Sequence, residues 1–139
     1  MRLPPTRVPP TDRLSWRAAP IVATTDLLRC HEHTYVSGIK KQCADLLSSG
    51  EVRGKLDADT ELTAYSYHAA LRAAGAAVAA THSVCAPNRT ARNAFCATRP
   101  PGHHAGPAGA VGDQSAGFCL FCNAAIAASY AMHVSATRM

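Results

Sequence analysis

Residues 99–123 read RPPGHHAGPAGAVGDQSAGFCLFCN, and this stretch contains the most distinctive chemistry of the chain. Two adjacent histidines, His103 and His104, stand on a glycine- and proline-bounded loop that follows the apolar run 94–98. A short apolar run stopped by two prolines predicts a buried strand, and α/β proteins place their sites beyond the carboxyl ends of strands. Imidazole transfers protons near neutral pH, so the pair is a candidate catalytic site, with two solvated loop histidines as the alternative.

The second half of the same stretch offers two further candidates. Gly117 permits a ligand to approach the backbone closely, and Phe118 beside it can line a narrow pocket, although packing at a loop–helix junction is the commoner explanation. Cys119 and Cys122 have the spacing of half a zinc site or of a redox pair. No second Cys-x-x-Cys follows, and both cysteines lie in an apolar run, so core packing is favoured.

Outward from this stretch, the periodicity of apolar residues predicts a helix-rich chain. The first predicted helix begins at Thr24 or Thr25, and three further helices cover 34–47, 64–84 and 121–133. The helix over 64–84 is alanine-rich with small residues on nearly every side, which is typical of a helix inside a larger assembly. Residues 57–63 combine turn and cap residues and predict a loop.

Composition limits the size of the core and the class of partner. The chain has 139 residues, 47% of them hydrophobic but only 6% aromatic, which predicts one domain with a thin core. The net charge of +5 includes no block of consecutive Lys or Arg, so we infer no direct binding to nucleic acid.

Without a signal peptide or membrane span, an intracellular protein is expected. Residues 1–20 hold five of the nine prolines and predict a poorly ordered lead-in.

The remaining cysteines and histidines carry weaker signals. Six cysteines without a secretory signal are expected to be reduced thiols. His31, Glu32 and His33 resemble a metal cluster, but alternate residues share a face only in extended structure, so surface positions are favoured at this helix edge. His68 and His82 are isolated, and we assign them no role.

Three segments together resemble the zinc-dependent histone deacetylase family, in particular its class II and bacterial-like members. RPPGHHA at 99–105 precedes GFCLF at 117–121 and an Asn-led alanine helix. LLRCHEHTYVSGIKKQC at 27–43 is similar to the family's LLRVHxxxYI segment, and LDADTELTAYSYHAALRAAGAA at 56–77 is similar to its LDxDTxxSxxSxxAAxxAxGA stretch. The resemblance covers residues from about 25 to 134.

The resemblance implies a fold and a set of site residues. The expected fold is the first portion of a three-layer αβα, arginase/deacetylase-like architecture with a mainly parallel sheet, formed here by residues 21–139 and dominated by helices. His103 and His104 match the family's general base and general acid. Gly117 and Phe118 match the channel for the acetyl-lysine side chain, and Asp59 matches the rim aspartate that holds the substrate backbone.

The departures from the family pattern concern the metal above all. In the family, Zn²⁺ is held by two aspartates and a histidine that match no residue of this chain, so the chain by itself is expected to be an inactive N-terminal fragment. The loop 106–116 is longer than usual, and Cys122 stands where Asn or Gly is commoner.

Two functional hypotheses follow from the resemblance. The first is hydrolysis of acetylated lysine in a histone or other protein, or of an acetylated small amide, in the nucleus or cytoplasm of a eukaryote and without a membrane or nucleic-acid partner. The second is a non-catalytic interaction module that self-associates through uncovered apolar surface.

Overall fold

The structure is a computed structural model that describes residues 14–110 and 115–136. Within these residues the helices are α1 Thr24–Leu27, α2 His33–Ser49, α3 Ser66–Cys85 and α4 Asn123–Ala136. The strands are β1 Gly54–Lys55, β2 Glu61–Leu62, β3 Ala105–Gly106 and β4 Gly109–Ala110. The predicted helices are thus confirmed with small shifts of their ends. Of the expected lead-in, residues 1–13 lie outside the described part, and residues 14–20 form no helix or strand.

The ends and faces of α2 follow from its sequence. Its buried residues are Val36, Ile39, Cys43 and Leu46, which recur at the three- and four-residue spacing of one helix face. Gly50 ends the helix in the left-handed conformation with φ 75°, which glycine adopts without a steric penalty. Helix α2 therefore presents one apolar stripe to the rest of the chain.

The alanine-rich α3 packs against α4 and against the segment that precedes α1. The backbone of Pro20 contacts Gly75 so closely that the carbonyl oxygen occupies the space of a side chain there. Val22 N donates to Leu71 O at 3.1 Å, and Arg72 donates to Ala19 O at 2.7 Å. Small residues on several sides of α3 thus permit the close packing that the sequence predicts.

The two sheets of the described residues are antiparallel pairs. Strand β1 pairs with β2, with Gly54 opposite Leu62, and β3 pairs with β4, with Ala105 opposite Ala110. The mainly parallel sheet that we expected is not found among residues 14–110 and 115–136. Helices dominate these residues, as expected for the first portion of the architecture.

The predicted buried strand over 94–98 is wrong. These residues form neither helix nor strand, and the side chain of Phe95 is 92% exposed. A strand obtains its hydrogen bonds from neighbouring strands, and no strand of the described residues lies beside this run. The apolar pattern was therefore insufficient without a partner strand.

The core lies between the helices. Phe121 is 1% exposed, and its ring stands edge-on to those of Tyr35 and Tyr67, with centroid distances of 6.2 and 6.1 Å. The other large, fully buried hydrophobic side chains are Leu27, Ile39, Leu62 and Ile126. None of the helices in the described residues has the length and apolar character that a membrane span requires.

Candidate active site

His103 and His104 lie in an exposed turn immediately before β3. Their ring centroids are 4.4 Å apart, and the ring planes are inclined by 53°. Ala105 N donates to Gly102 O at 3.2 Å and closes the turn around them. The structure therefore places both imidazoles side by side at the surface, on a turn rather than at the end of a strand.

The start of α4 holds the segment that leads into this turn. Asn123 is 9% exposed, and its side-chain amide donates to Pro100 O at 2.9 Å and to Pro101 O at 3.0 Å. Gly102, with φ 92°, contacts Phe121 O and Asn123 N directly, in the space that a Cβ would occupy. Only glycine fits this approach, and the histidine turn is thereby fixed to the core.

Gly117, from the Gly-Phe motif, contacts the histidine pair at His104. A Cβ on Gly117 would lie 2.6 Å from His104 Cδ2, so the glycine backbone packs on the imidazole ring. Gly117 has φ 53° and Phe118 has φ 63°, so both residues are left-handed, a conformation that side chains rarely adopt. Phe118 is 59% exposed. His104 and the Gly117–Phe118 pair thus share one surface.

The loop that contains Asp59 contacts the same segment. Asp59 Oδ1 accepts hydrogen bonds from Gly117 N at 3.2 Å and from the Thr60 hydroxyl at 2.9 Å. Thr60 Oγ1 in turn accepts from Phe118 N at 3.0 Å. The candidate rim aspartate therefore lies beside the other candidate residues, with one carboxylate oxygen already engaged within the protein.

Asp57 completes this contact, and sequence reasoning missed it. Its Oδ2 accepts from Ala116 N at 2.7 Å, and its Oδ1 accepts from Thr60 N at 2.9 Å and Asp59 N at 3.1 Å. Burial works to raise the pKa of Asp57, but these amides and the Thr60 hydroxyl outweigh it and lower the pKa. The signal in the sequence was an aspartate two and three residues before its own amide partners, which is typical of an Asx turn.

A sequence profile of the histone deacetylase domain matches residues 6–139, nearly the whole chain. The chain belongs to the histone deacetylase family.

Two relatives and one solved structure show how much of the family this chain covers. The histone deacetylase-like amidohydrolase of Pseudomonas aeruginosa is 40% identical over 117 residues, which are 84% of this chain and 27% of the relative. The chloroplastic histone deacetylase 14 of Arabidopsis thaliana is 37% identical over 109 residues, 76% of this chain and 25% of the relative.

The crystal structure of the HDA15 HD domain is similar to this chain with a TM-score of 0.68 and 30% identity. The similarity covers 83% of this chain and 30% of that one, and it supports the deacetylase-type α/β fold. The chain spans about a quarter of the length of the two curated relatives.

The histone deacetylase family is generally zinc-dependent, but the described residues do not fit a zinc ion. Nowhere in residues 14–110 and 115–136 do three His, Cys, Asp or Glu side chains converge as a metal would require. The ligands that the family resemblance implies also match no residue of this chain.

Cys119 is part of the packing around the histidine turn, whereas Cys122 is half-buried. Cys119 is fully buried, and its Sγ accepts from Gly102 N at 3.2 Å and donates to Gly117 O at 3.5 Å. Its thiol thus links the histidine turn to the glycine segment, and core packing is confirmed for Cys119. None of the six cysteines, all of which lie in the described residues, forms a disulfide.

His31 is buried, so the prediction of a surface position for it is wrong, whereas Glu32 and His33 are exposed. His31 Nε2 accepts from Cys122 N at 2.9 Å, which requires the neutral ring with its proton on Nδ1. Burial lowers the pKa of His31, although the carbonyls of Pro107 and Gly106 oppose this effect. The hairpin of β3 and β4 covers a residue that its local sequence placed at the surface.

A shallow pocket of about 190 Å³ opens beside Phe118, between Thr60, Arg99 and Leu120. Neither His103 nor His104 lines this pocket. We give the histidine pair more weight as the candidate site because its contact with Gly117 joins two motifs, whereas the pocket is open and largely apolar. The described residues around Phe118 thus form an open surface and not an enclosed cavity.

Proposed function

We propose that this chain provides the proton-transfer pair and one channel wall of an enzyme that hydrolyses acetyl amides. The substrate is acetylated lysine in a histone or other protein, or an acetylated small amide. His103 and His104 transfer protons, while Gly117, Phe118 and Asp59 contact the substrate. The contact between Gly117 and His104 carries the proposal, because it brings the family's two motifs to one surface.

Amide hydrolysis requires two proton transfers that a histidine pair can perform. The attacking water loses a proton when it adds to the carbonyl carbon, and the leaving amine gains one when the C–N bond breaks. Imidazole changes its charge near neutral pH and serves in either direction. With centroids 4.4 Å apart at the surface, one ring can accept the first proton while the other donates the second.

The wall is suited to a long aliphatic side chain. Gly117 leaves the space above the His104 ring open, because any side chain there would meet the imidazole. The exposed Phe118 ring offers an apolar face to the methylene stem of lysine. Asp59 Oδ2 has no hydrogen bond among the described contacts and is available to accept a backbone N–H of the substrate.

A chimera with the Pseudomonas aeruginosa amidohydrolase tests this function. The 117 aligned residues of that protein are replaced by those of this chain, and hydrolysis of an acetyl-lysine peptide is measured. We expect turnover, and we expect His103→Ala or His104→Ala to lower kcat about 100-fold or more, the usual contribution of general acid–base catalysis. The control is His68→Ala, an exposed histidine on α3, which leaves kcat unchanged.

An active chimera in which neither substitution lowers kcat would contradict the proposed proton transfer. The 139-residue chain alone, assayed with added Zn²⁺, is expected to show no turnover, because residues 14–110 and 115–136 bring together no three potential metal ligands. Turnover by that chain, abolished by His104→Ala, would show that the chain is active by itself and that this expectation is wrong.

Exposed aromatic side chains support a second candidate function, that of an interaction module. Trp16 is 84% exposed and Phe95 is 92% exposed, so each presents a large apolar surface that a second copy of the chain can cover. This function predicts self-association that Phe95→Ser weakens in sedimentation velocity experiments. A monomer at all concentrations would exclude it.

A further inference from the structure

Three consecutive backbone amides are held by three side chains of one short loop. The N–H groups of residues 116–118 donate, in order, to Asp57 Oδ2, Asp59 Oδ1 and Thr60 Oγ1, at 2.7, 3.2 and 3.0 Å. The donors and acceptors lie 58 or 59 positions apart in the sequence. We call this set of hydrogen bonds the amide clamp.

The acceptor side of the amide clamp is itself rigid. Asp57 Oδ1 accepts hydrogen bonds from the amides of Asp59 and Thr60, and Oδ2 accepts one from Ala116 N. One carboxylate therefore both orders its own loop and binds the segment that follows. Leu56 N donates to Thr60 O at 2.8 Å and closes the loop. Thr60 is 2% exposed, so its hydroxyl is shielded from competing water.

The donor segment, residues 116–118, requires hydrogen bonds to another part of the chain to keep its conformation. Gly117 and Phe118 are both left-handed, with φ of 53° and 63°, and this conformation is unfavourable for a residue with a side chain such as Phe118. Without the hydrogen bond to Thr60, Phe118 would relax toward negative φ. That rotation would move its ring and shift Gly117 away from its contact with His104.

We propose that Asp57 and Thr60 are positioning residues, which with Asp59 fix residues 116–118 and so set the place of the channel wall relative to His104. The catalytic consequence rests on the proposed function, whereas the amide clamp itself does not. Within the amide clamp, Asp59 Oδ1 accepts hydrogen bonds from the protein itself, and Oδ2 remains available to the substrate.

Hydrogen exchange in the full 139-residue chain tests the amide clamp without any activity. Thr60→Val keeps the shape of the side chain but removes the hydroxyl, and the Phe118 amide is expected to exchange about tenfold faster or more. Thr60→Ser restores the hydroxyl and the slow exchange. The Cys122 amide, held by His31, reports on the overall fold and is expected to be unchanged in both variants.

Asp57→Asn provides the second arm, since an amide cannot accept hydrogen bonds at both of its ends. It is expected to accelerate exchange of the Ala116 amide about tenfold or more. Asp45→Asn, at an exposed ion pair with Lys41 on α2, is the matched control and leaves Ala116 unchanged. If Asp57→Asn also accelerates exchange of the Cys122 amide, this variant disturbs the fold as a whole. The comparison of Thr60→Val with Thr60→Ser is then the test of the amide clamp.

The chimera then tests the catalytic consequence. Thr60→Val is expected to lower kcat about tenfold, while Thr60→Ser retains the activity. An unprotected Phe118 amide in the original chain, or exchange unaffected by Thr60→Val, would overturn the amide clamp. Unchanged kinetics in a Thr60→Val chimera with fast exchange would overturn the positioning role. An inactive original chimera with slow exchange would instead refute only the proposed function.

Discussion

A single methyl group at Gly117 tests whether the glycine places His104. Gly117→Ala sets a Cβ 2.6 Å from His104 Cδ2, closer than real side chains approach one another. Because the backbone of Gly117 is held by Asp59 while the imidazole is exposed, the ring moves rather than the backbone. The ring has to retreat by about 0.8 Å to reach the ordinary contact distance of 3.4 Å.

The size of the effect follows from that displacement. A misplacement of about 1 Å costs on the order of 100-fold in rate, so Gly117→Ala is expected to lower kcat/KM of the chimera by roughly that factor. The same substitution also places alanine at φ 53°, which costs about 1–2 kcal/mol of stability. Gly50→Ala is the matched control, since Gly50 has φ 75° but nothing within 4 Å of its Cβ position.

Both variants are therefore expected to lose similar unfolding free energy in urea, and only Gly117→Ala is expected to lose activity. The imidazole proton resonances of His104 shift in Gly117→Ala and stay in place in Gly50→Ala. Equal losses of kcat/KM in the two variants, or unmoved His104 resonances in Gly117→Ala, would refute the placement of His104 by this glycine.

Three further predictions concern the support of the site. Burial lowers the pKa of His31, so its contribution to stability is complete above pH of about 6.5 and is lost as the pH falls through its folded-state pKa; urea unfolding from pH 7.5 to 5 should show this loss, and His31→Gln should lack it. Tyr35→Phe leaves the buried Leu120 carbonyl without its donor and should cost about 1 kcal/mol in urea unfolding, whereas an unchanged midpoint would contradict that hydrogen bond. Gly75→Ala, whose Cβ would meet Pro20 O, should lower the melting temperature, and an unchanged value would show that this backbone contact is absent.

Local patterns in the sequence predicted the helices and the candidate residues. The apolar spacing of α2 and the alanine run of α3 lie within continuous segments, so their signals needed no distant partner. His104 and Gly117 were candidates from their local sequence, the family resemblance implied their roles, and the structure adds that they touch.

The features that sequence reasoning missed depend on contacts between distant segments. The run 94–98 has the composition of a strand, but a strand requires neighbours that the described residues do not provide. His31 is buried because Phe121 and the β3–β4 hairpin cover it, which its own neighbours in sequence cannot indicate. Asp57 looked like an ordinary turn residue because its partner Ala116 lies 59 positions away.

Chemical rescue tests the central claim most directly, namely that the histidine pair transfers protons during amide hydrolysis. The His104→Ala chimera leaves an exposed space beside Gly117 that a free imidazole can enter. Turnover of an acetyl-lysine peptide by this variant is expected to rise with imidazole concentration, while the original chimera and His68→Ala show no such rise. Full loss of turnover in His104→Ala with no response to imidazole would contradict proton transfer and indicate a structural role for this histidine.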